Sequence, residues 1–187
     1  WSLYQDDSCW VPPLISDQLN YLNPNKGPFF EFGDAELFLA YKDDVPVGRI
    51  SAQIDRQYEK HQDKESGFFG FFECINDTQV AEQLLQHAET WVRERGKSRI
   101  CGPFNFTLYD ASGLLVKGFD SLPVILTNYN KPYYADLLEQ CGYSKHIDWY
   151  AFRVSSDLHI RPVFYRIRER IKRQGIVIQT IDMKNLD

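Results

Sequence analysis

A strand, a helix and a second strand in immediate succession constrain this chain more than any other stretch. Gly67 to Ile75 (GFFGFFECI) is an aromatic and apolar run of strand length, with Gly70 placed to mark a bulge. Asp77 suits a helix N-cap, and Val80, Leu84, Ala88, Trp91 and Val92 fall on one face before Gly96 ends the pattern. Arg99 to Pro103 reads as the next strand. A crossover helix is what allows neighbouring strands to run parallel, so the Phe68 and Ile100 strands are predicted to pair in parallel, joined by a helix from about Thr78 to Arg95. In such sheets ligands enter at the carboxyl ends of the parallel strands. Those ends carry Glu73, Cys74, Ile75 and Asn76 on one strand and Gly102, Pro103, Phe104 and Asn105 on the other.

The remaining elements surround this unit. Cys9 to Phe32, punctuated by Pro12, Pro13, Pro24 and Pro28, reads as one short helix between loops. Ala35 to Tyr41 and Val47 to Asp55, separated by Lys42-Asp43-Asp44-Val45, form a hairpin in which Ile50, Ala52 and Ile54 alternate with Arg49, Ser51 and Gln53. Arg56 to Ser66 is a polar loop. After Pro103 come about 25 residues of loop-like sequence around a short strand at Val124 to Thr127. Pro132 opens a second helix with Tyr134, Leu137, Leu138 and Cys141 inward and Gly142 at its end. Ile147 to Val154 alternates as a strand, Pro162 opens a helix ending near Gly175, and Ile176 to Ile181 reads as a last strand. The fold class is α/β (α+β), with a mixed, mostly antiparallel sheet and helices on both faces.

Composition narrows the function. The chain has 187 residues, 43% hydrophobic and 15% aromatic, enough apolar surface for one compact domain or one lobe of a longer protein without disulfide or metal staples. A net charge of -5 argues against neutralising phosphate backbones, so no nucleic acid is expected. No apolar run reaches the roughly 18 residues that span a bilayer and no signal peptide is apparent, which makes a cytoplasmic address the default expectation. Cys9, Cys74, Cys101 and Cys141 lack any C-x-x-C pairing and no histidine pair has metal-ligand spacing, so no metal is expected. The chain starts at Trp1 and stops just past its last expected strand, as an excised piece would.

The order of elements, with QLLQHAETWVRERG between the strands and PYYADLLEQCGY closing the second helix, resembles the GNAT superfamily of acyl-CoA-dependent N-acyltransferases. The resemblance covers roughly Ala35 to Val154. The strings GRISAQID, GFFGFFECIND, GLLVKGFD and YNKPYYADLLEQCGY are similar to a bacterial branch whose members are about twice as long and carry a second GNAT-like half. The resemblance implies a single GNAT-like domain over 1–187, truncated at its start and lacking a C-terminal lobe, with 156–187 as the connecting helix and strand. It also implies a splayed central parallel strand pair and acyl-CoA or acetyl-CoA as co-substrate. The co-substrate would be held by Cys74, Ile75, Asn76, Thr78, Gln79, Val80 and Ala81.

Two positions depart from the family pattern. Its turn reads Q/R-x-x-G-x-G/A, whereas this chain has Asn76-Asp77-Thr78-Gln79-Val80-Ala81, where only Ala81 complies and Asp77 adds negative charge beside the pyrophosphate site. Where many members place a tyrosine near the thiolate leaving group stands Leu138, leaving Tyr133 or Tyr134 one turn earlier as substitutes.

Glu73 is the candidate general base for the attacking amine, since the surrounding phenylalanines could raise it by desolvation; its alternative is a strand-end Glu in water or in a salt bridge. Tyr134 is the candidate acid. Cys74 and Cys101 read as packed thiols. Asn105, Tyr109, Asn130 and Tyr133 are candidates for substrate binding, in or near the long loop over the cleft, a loop that could equally dock on a missing half. The third helix is basic (Arg161, Arg166, Arg168, Arg170, Lys172, Arg173), most simply a solvated face. These residues suit one half of a two-lobed N-acyltransferase acting on a small-molecule or lipid-like amine. The alternatives are a catalytically silent scaffold or a lipid- or partner-binding module, with a second lobe or homodimer partner in either case.

Overall fold

The computed structural model describes residues 2–125, 127–155, 157, 159–177 and 179–184. Residues 1–145 and 146–187 form separate compact units.

The first unit is organised on a four-stranded sheet of order β1-β2-β3-β4. β1 (Gly33–Lys42) and β2 (Val45–Asp55) form the expected hairpin, turning at Asp43 and Asp44 with φ of 50° and 62°. Two successive left-handed residues are what a two-residue loop needs to match strand twist, and aspartate tolerates them better than most residues. β3 (Ser66–Cys74) pairs antiparallel with β2, and β4 (Arg99–Cys101) pairs parallel with β3 as predicted. Preceding the sheet is α1 (Ile15–Tyr21). The segment expected to be a polar loop after β2 contains α2 (Arg56–His61), started by the Asp55 carboxylate, which accepts from the Gln57 and Tyr58 amides.

Crossing from β3 to β4, α3 (Thr78–Glu94) buries Ala81, Leu84, Leu85, Ala88, Trp91 and Val92. These residues meet Ile50, Ala52 and Ile54 of β2, Phe69, Phe72 and Cys74 of β3, and Tyr134, Leu137 and Leu138 of α4 (Tyr134–Gln140). Each large apolar side chain so buried contributes roughly 1.5–3 kcal/mol, which makes this core the unit's main source of stability. A second cluster gathers Phe29, Phe71 and Phe106, with Tyr21, Phe30 and Phe32 against them.

One irregularity in β3 separates the two clusters. Between the pairs Ser51↔Gly70 and Arg49↔Glu73, β2 advances two residues and β3 three, and Phe71 takes φ 46°. This is the bulge expected at Gly70. Side chains alternate along a strand, so an extra residue inverts the alternation beyond it. Phe69 therefore shares the α3 core with Phe72 and Cys74, Phe71 joins the other cluster, and Glu73 is turned out of the apolar core. Gly70 itself is required by close approach, because a Cβ there would stand 1.7 Å from the Phe104 carbonyl oxygen.

The second unit contains α5 (Pro162–Arg173). Among the described residues no strand follows Cys101, so the strands expected at Val124–Thr127, Ile147–Val154 and Ile176–Ile181 do not form; Leu126 and Ile178 within them lie outside the described residues. Alternation supplies a face but not a hydrogen-bonding neighbour, and a strand requires both. No helix among the described residues is long and apolar enough to cross a membrane.

Candidate active site

The parallel ladder between β3 and β4 is short. It runs from Ser66↔Arg99 to Phe68↔Cys101, and one further main-chain bond, Phe104 N–H to the Phe69 carbonyl at 2.8 Å, closes it. Past that point side chains take the places of a partner strand. The Phe71 amide donates to Asn105 Oδ1 at 2.9 Å and the Cys74 amide to Tyr134 Oη at 3.1 Å. A parallel pair that parts beyond a crossover helix is the arrangement the sequence resemblance implied. The fold is GNAT-like.

At the mouth of this GNAT-like splay, Glu73 Oε2 accepts two hydroxyl hydrogen bonds, from Tyr134 at 2.6 Å and from Tyr4 at 2.7 Å. Its Oε1 lies 3.6 Å from Arg49 Nη2, the cross-strand partner on β2. Burial, and then the Glu73 charge, push the Tyr4 and Tyr134 phenols far above the usual tyrosine range, so both remain protonated donors. A cavity of about 50 Å3 opens beside the carboxylate, lined by Arg49, Glu73, Asn105, Asn128, Tyr129 and Asn130 among others. It can hold a reacting head group and little more.

The expected substrate residues divide in their roles. Asn105 and Asn130 line the cavity, and both also brace it. Asn105 supports the bulge through Phe71. Asn130 accepts from the Leu115 amide at 2.6 Å and donates to the Leu115 and Lys131 carbonyls at 3.3 and 2.9 Å. Tyr133 donates to the Cys74 carbonyl at 2.9 Å, and burial pushes its phenol up to about 12. Tyr109 does not line the cavity and is 92% exposed.

The expected cofactor residues sit together at the β3–α3 junction, but the junction supplies its own anion. Asp77 Oδ1 accepts from the Gln79 and Val80 amides at 3.0 and 3.4 Å, and Lys42 lies 3.6 Å from the same carboxylate. Ala81 is fully buried, with its amide on the Asp77 carbonyl, and the Ile75 amide bonds the Val47 carbonyl. Thr78 donates to Gln140, whereas Asn76 and Gln79 are exposed. A phosphate group at this helix start would have to displace Asp77, so the residues present do not offer the open amide cradle of the family turn.

Cys74 is buried, and its thiol is pushed up to about 12, first by burial and then by Asp77 and Cys141; it is a packed thiol rather than a nucleophile. Among the described residues no group of three or more His, Cys, Asp and Glu could hold a metal ion.

Tyr4 and Arg49 were not singled out from sequence. Arg49 becomes legible only with the β2–β3 register, which sets it opposite the strand-end acid. Tyr4 carried no signal, because 69 residues separate it from Glu73.

No protein-family profile matches the chain. Protein YghO of Escherichia coli (strain K12) is 36% identical over 174 residues, which are 92% of this chain and 44% of that protein. The bacterial ceramide synthase of Caulobacter vibrioides (strain NA1000 / CB15N) is 34% identical over 182 residues, 97% of this chain and 47% of the synthase. The chain thus spans about half the length of the curated relatives it matches. Two solved structures of the aminoglycoside acetyltransferase meta-AAC0020 from an uncultured soil metagenomic sample, with trehalose and with sisomicin, are 10% identical. Each alignment covers 82% of both chains at a TM-score of 0.44.

Proposed function

We propose that this chain is the part of an N-acyltransferase that deprotonates the amine, with an acyl-CoA thioester as donor and a long-chain amino alcohol as acceptor. The observation that carries the reading is the Glu73 carboxylate, oriented by two tyrosines and Arg49 at the end of the splayed pair. The relative named a ceramide synthase supports the substrate class, because a ceramide is the amide of a fatty acid and a long-chain amino alcohol. An amine reaches such a site as an ammonium. Glu73 takes one proton from the nitrogen, the freed lone pair attacks the thioester carbonyl carbon, and the C–S bond breaks with CoA leaving as thiolate, which takes the nitrogen's second proton as the neutral amide forms. Tyr134 keeps its proton and serves as a hydrogen-bond donor, not as the acid that protonates the thiolate.

The test uses the intact protein with palmitoyl-CoA and sphinganine, scoring amide by mass spectrometry. Glu73→Gln is expected to lower kcat by about a hundredfold or more while the circular dichroism spectrum is unchanged. Unchanged turnover would move the chemistry elsewhere and favour a second reading, a silent GNAT-like scaffold. That reading draws on Asp77 filling the helix start and Tyr134 filling the Cys74 amide. Calorimetry of this chain with acetyl-CoA separates the two further: a scaffold half has no saturable CoA site of its own.

A further inference from the structure

The segment before Val11 crosses the sequence to reach the candidate base, and it is anchored on arrival. Tyr4 is buried, with its ring stacked on Trp10 at 5.0 Å and 8° and the Lys131 ammonium over the ring, 4.9 Å from its centroid. Lys131 in turn pairs with Asp7 at 3.0 Å, and Asp7 also accepts from Tyr129 Oη at 2.7 Å. Trp10, Asp7, Lys131 and Tyr129 thus fix a phenol whose one polar atom is spent on Glu73. A carboxylate oxygen has two in-plane lone pairs, and Oε2 has a hydroxyl donor for each of them, Tyr4 and Tyr134. Oε1 faces Arg49 Nη2 at 3.6 Å, a distance beyond direct hydrogen bonding.

We propose that Tyr4 is a positioning residue that decides which oxygen of Glu73 does the work. With Oε2 saturated by two donors, Oε1 is the atom that takes the proton: the N–H bond of the ammonium breaks, its electron pair stays on nitrogen, and an O–H bond forms on Oε1. Tyr4 acts through Glu73. This inference rests on the acyltransferase reading, so its test must tell the two apart.

Tyr4→Phe keeps the ring and removes the donor. In the infrared difference spectrum, Glu73→Gln identifies the Glu73 carboxylate band, and Tyr4→Phe is expected to shift that band; an unmoved band overturns the inference whatever the activity. In the palmitoyl-CoA and sphinganine assay, Tyr4→Phe is expected to lower kcat about tenfold and leave KM for acyl-CoA within about twofold. A loss of activity with an unmoved carboxylate band and a lowered Tm would mark Tyr4 as merely structural and overturn the inference. Lys131→Met, which loosens the ring without removing the hydroxyl, is expected to give a smaller shift of that band in the same direction, and guards against a Tyr4→Phe that fails to fold. Full activity in Glu73→Gln would sink the acyltransferase role of Glu73 itself.

Discussion

Two helices with similar sequence patterns meet opposite fates in this molecule. α3 in the first unit places six residues in the core. α5 in the second carries an equally regular stripe, Val163, Ile167 and Ile171, yet those side chains remain 41%, 45% and 37% exposed, and no described residue from 146 onward is buried. α3 also has the Asp77 cap, whereas the N-cap residue of α5, Arg161, makes no side-chain capping bond. An apolar face is thus a requirement for burial and not its cause. The cause is a second surface of matching shape, which the sheet provides for α3.

The largest expected consequence lies in the cores. Leu85→Ala, at a site 1% exposed, should lose about 2–5 kcal/mol in urea unfolding of this chain, whereas Ile167→Ala should stay within about 0.5 kcal/mol. Equal losses would show that α5 is packed in solution and would erase the contrast.

The caps come next. Asp77→Ala should cost about 0.5–2 kcal/mol, while Arg161→Ala should be neutral. The same Asp77→Ala variant frees the Gln79 and Val80 amides, so acetyl-CoA should bind it more tightly than it binds the unmodified chain in calorimetry. Weaker binding would mean that Asp77 contributes to the donor site instead of blocking it.

The smallest effect concerns the anchored segment around Tyr4. Asp7 is held below the usual carboxylate range, first by the Tyr129 hydroxyl and then by Lys131. A depressed pKa contributes stability above the ordinary carboxylate value and loses it as pH falls through the lowered one. Asp7→Asn should therefore be less stable by no more than about 1 kcal/mol at pH 7, allowing for solvent screening, with the gap closing in acid. A gap that widens in acid would reverse the assignment.

What could be read from sequence was local. The α3 face, its Asp77 cap, the two-aspartate turn and the Gly70 bulge each depend on neighbours a few residues away, and each is present. α2 was within reach, since Asp55 is an ordinary cap, but six polar residues offer no periodicity to notice. The strands expected near 150 and 180 had the pattern and lacked a partner, which no local window reveals. In the site, Glu73 stood out because strand ends are where such sheets work. Asn105 and Asn130 proved to be braces as much as contacts, and Tyr4 depended on a fold that joins positions 69 residues apart.

The bulge in β3 gives the site an unusual dependence on counting. Which side chain meets solvent at the strand's end is set by how many residues precede it in the strand, and not by its own chemistry. Substitutions at Phe68, Phe69, Phe71 and Phe72 can drift so long as size and apolarity hold. Removing one residue between Gly70 and Glu73 would restore regular alternation and leave the carboxylate facing out, whereas regular pairing at unchanged length would carry the carboxylate into the α3 core and bring Phe72 out in its place. A single deletion at the bulge should therefore spare the orientation of Glu73, whereas a single insertion that leaves the bulge in place should turn the carboxylate inward and silence the site.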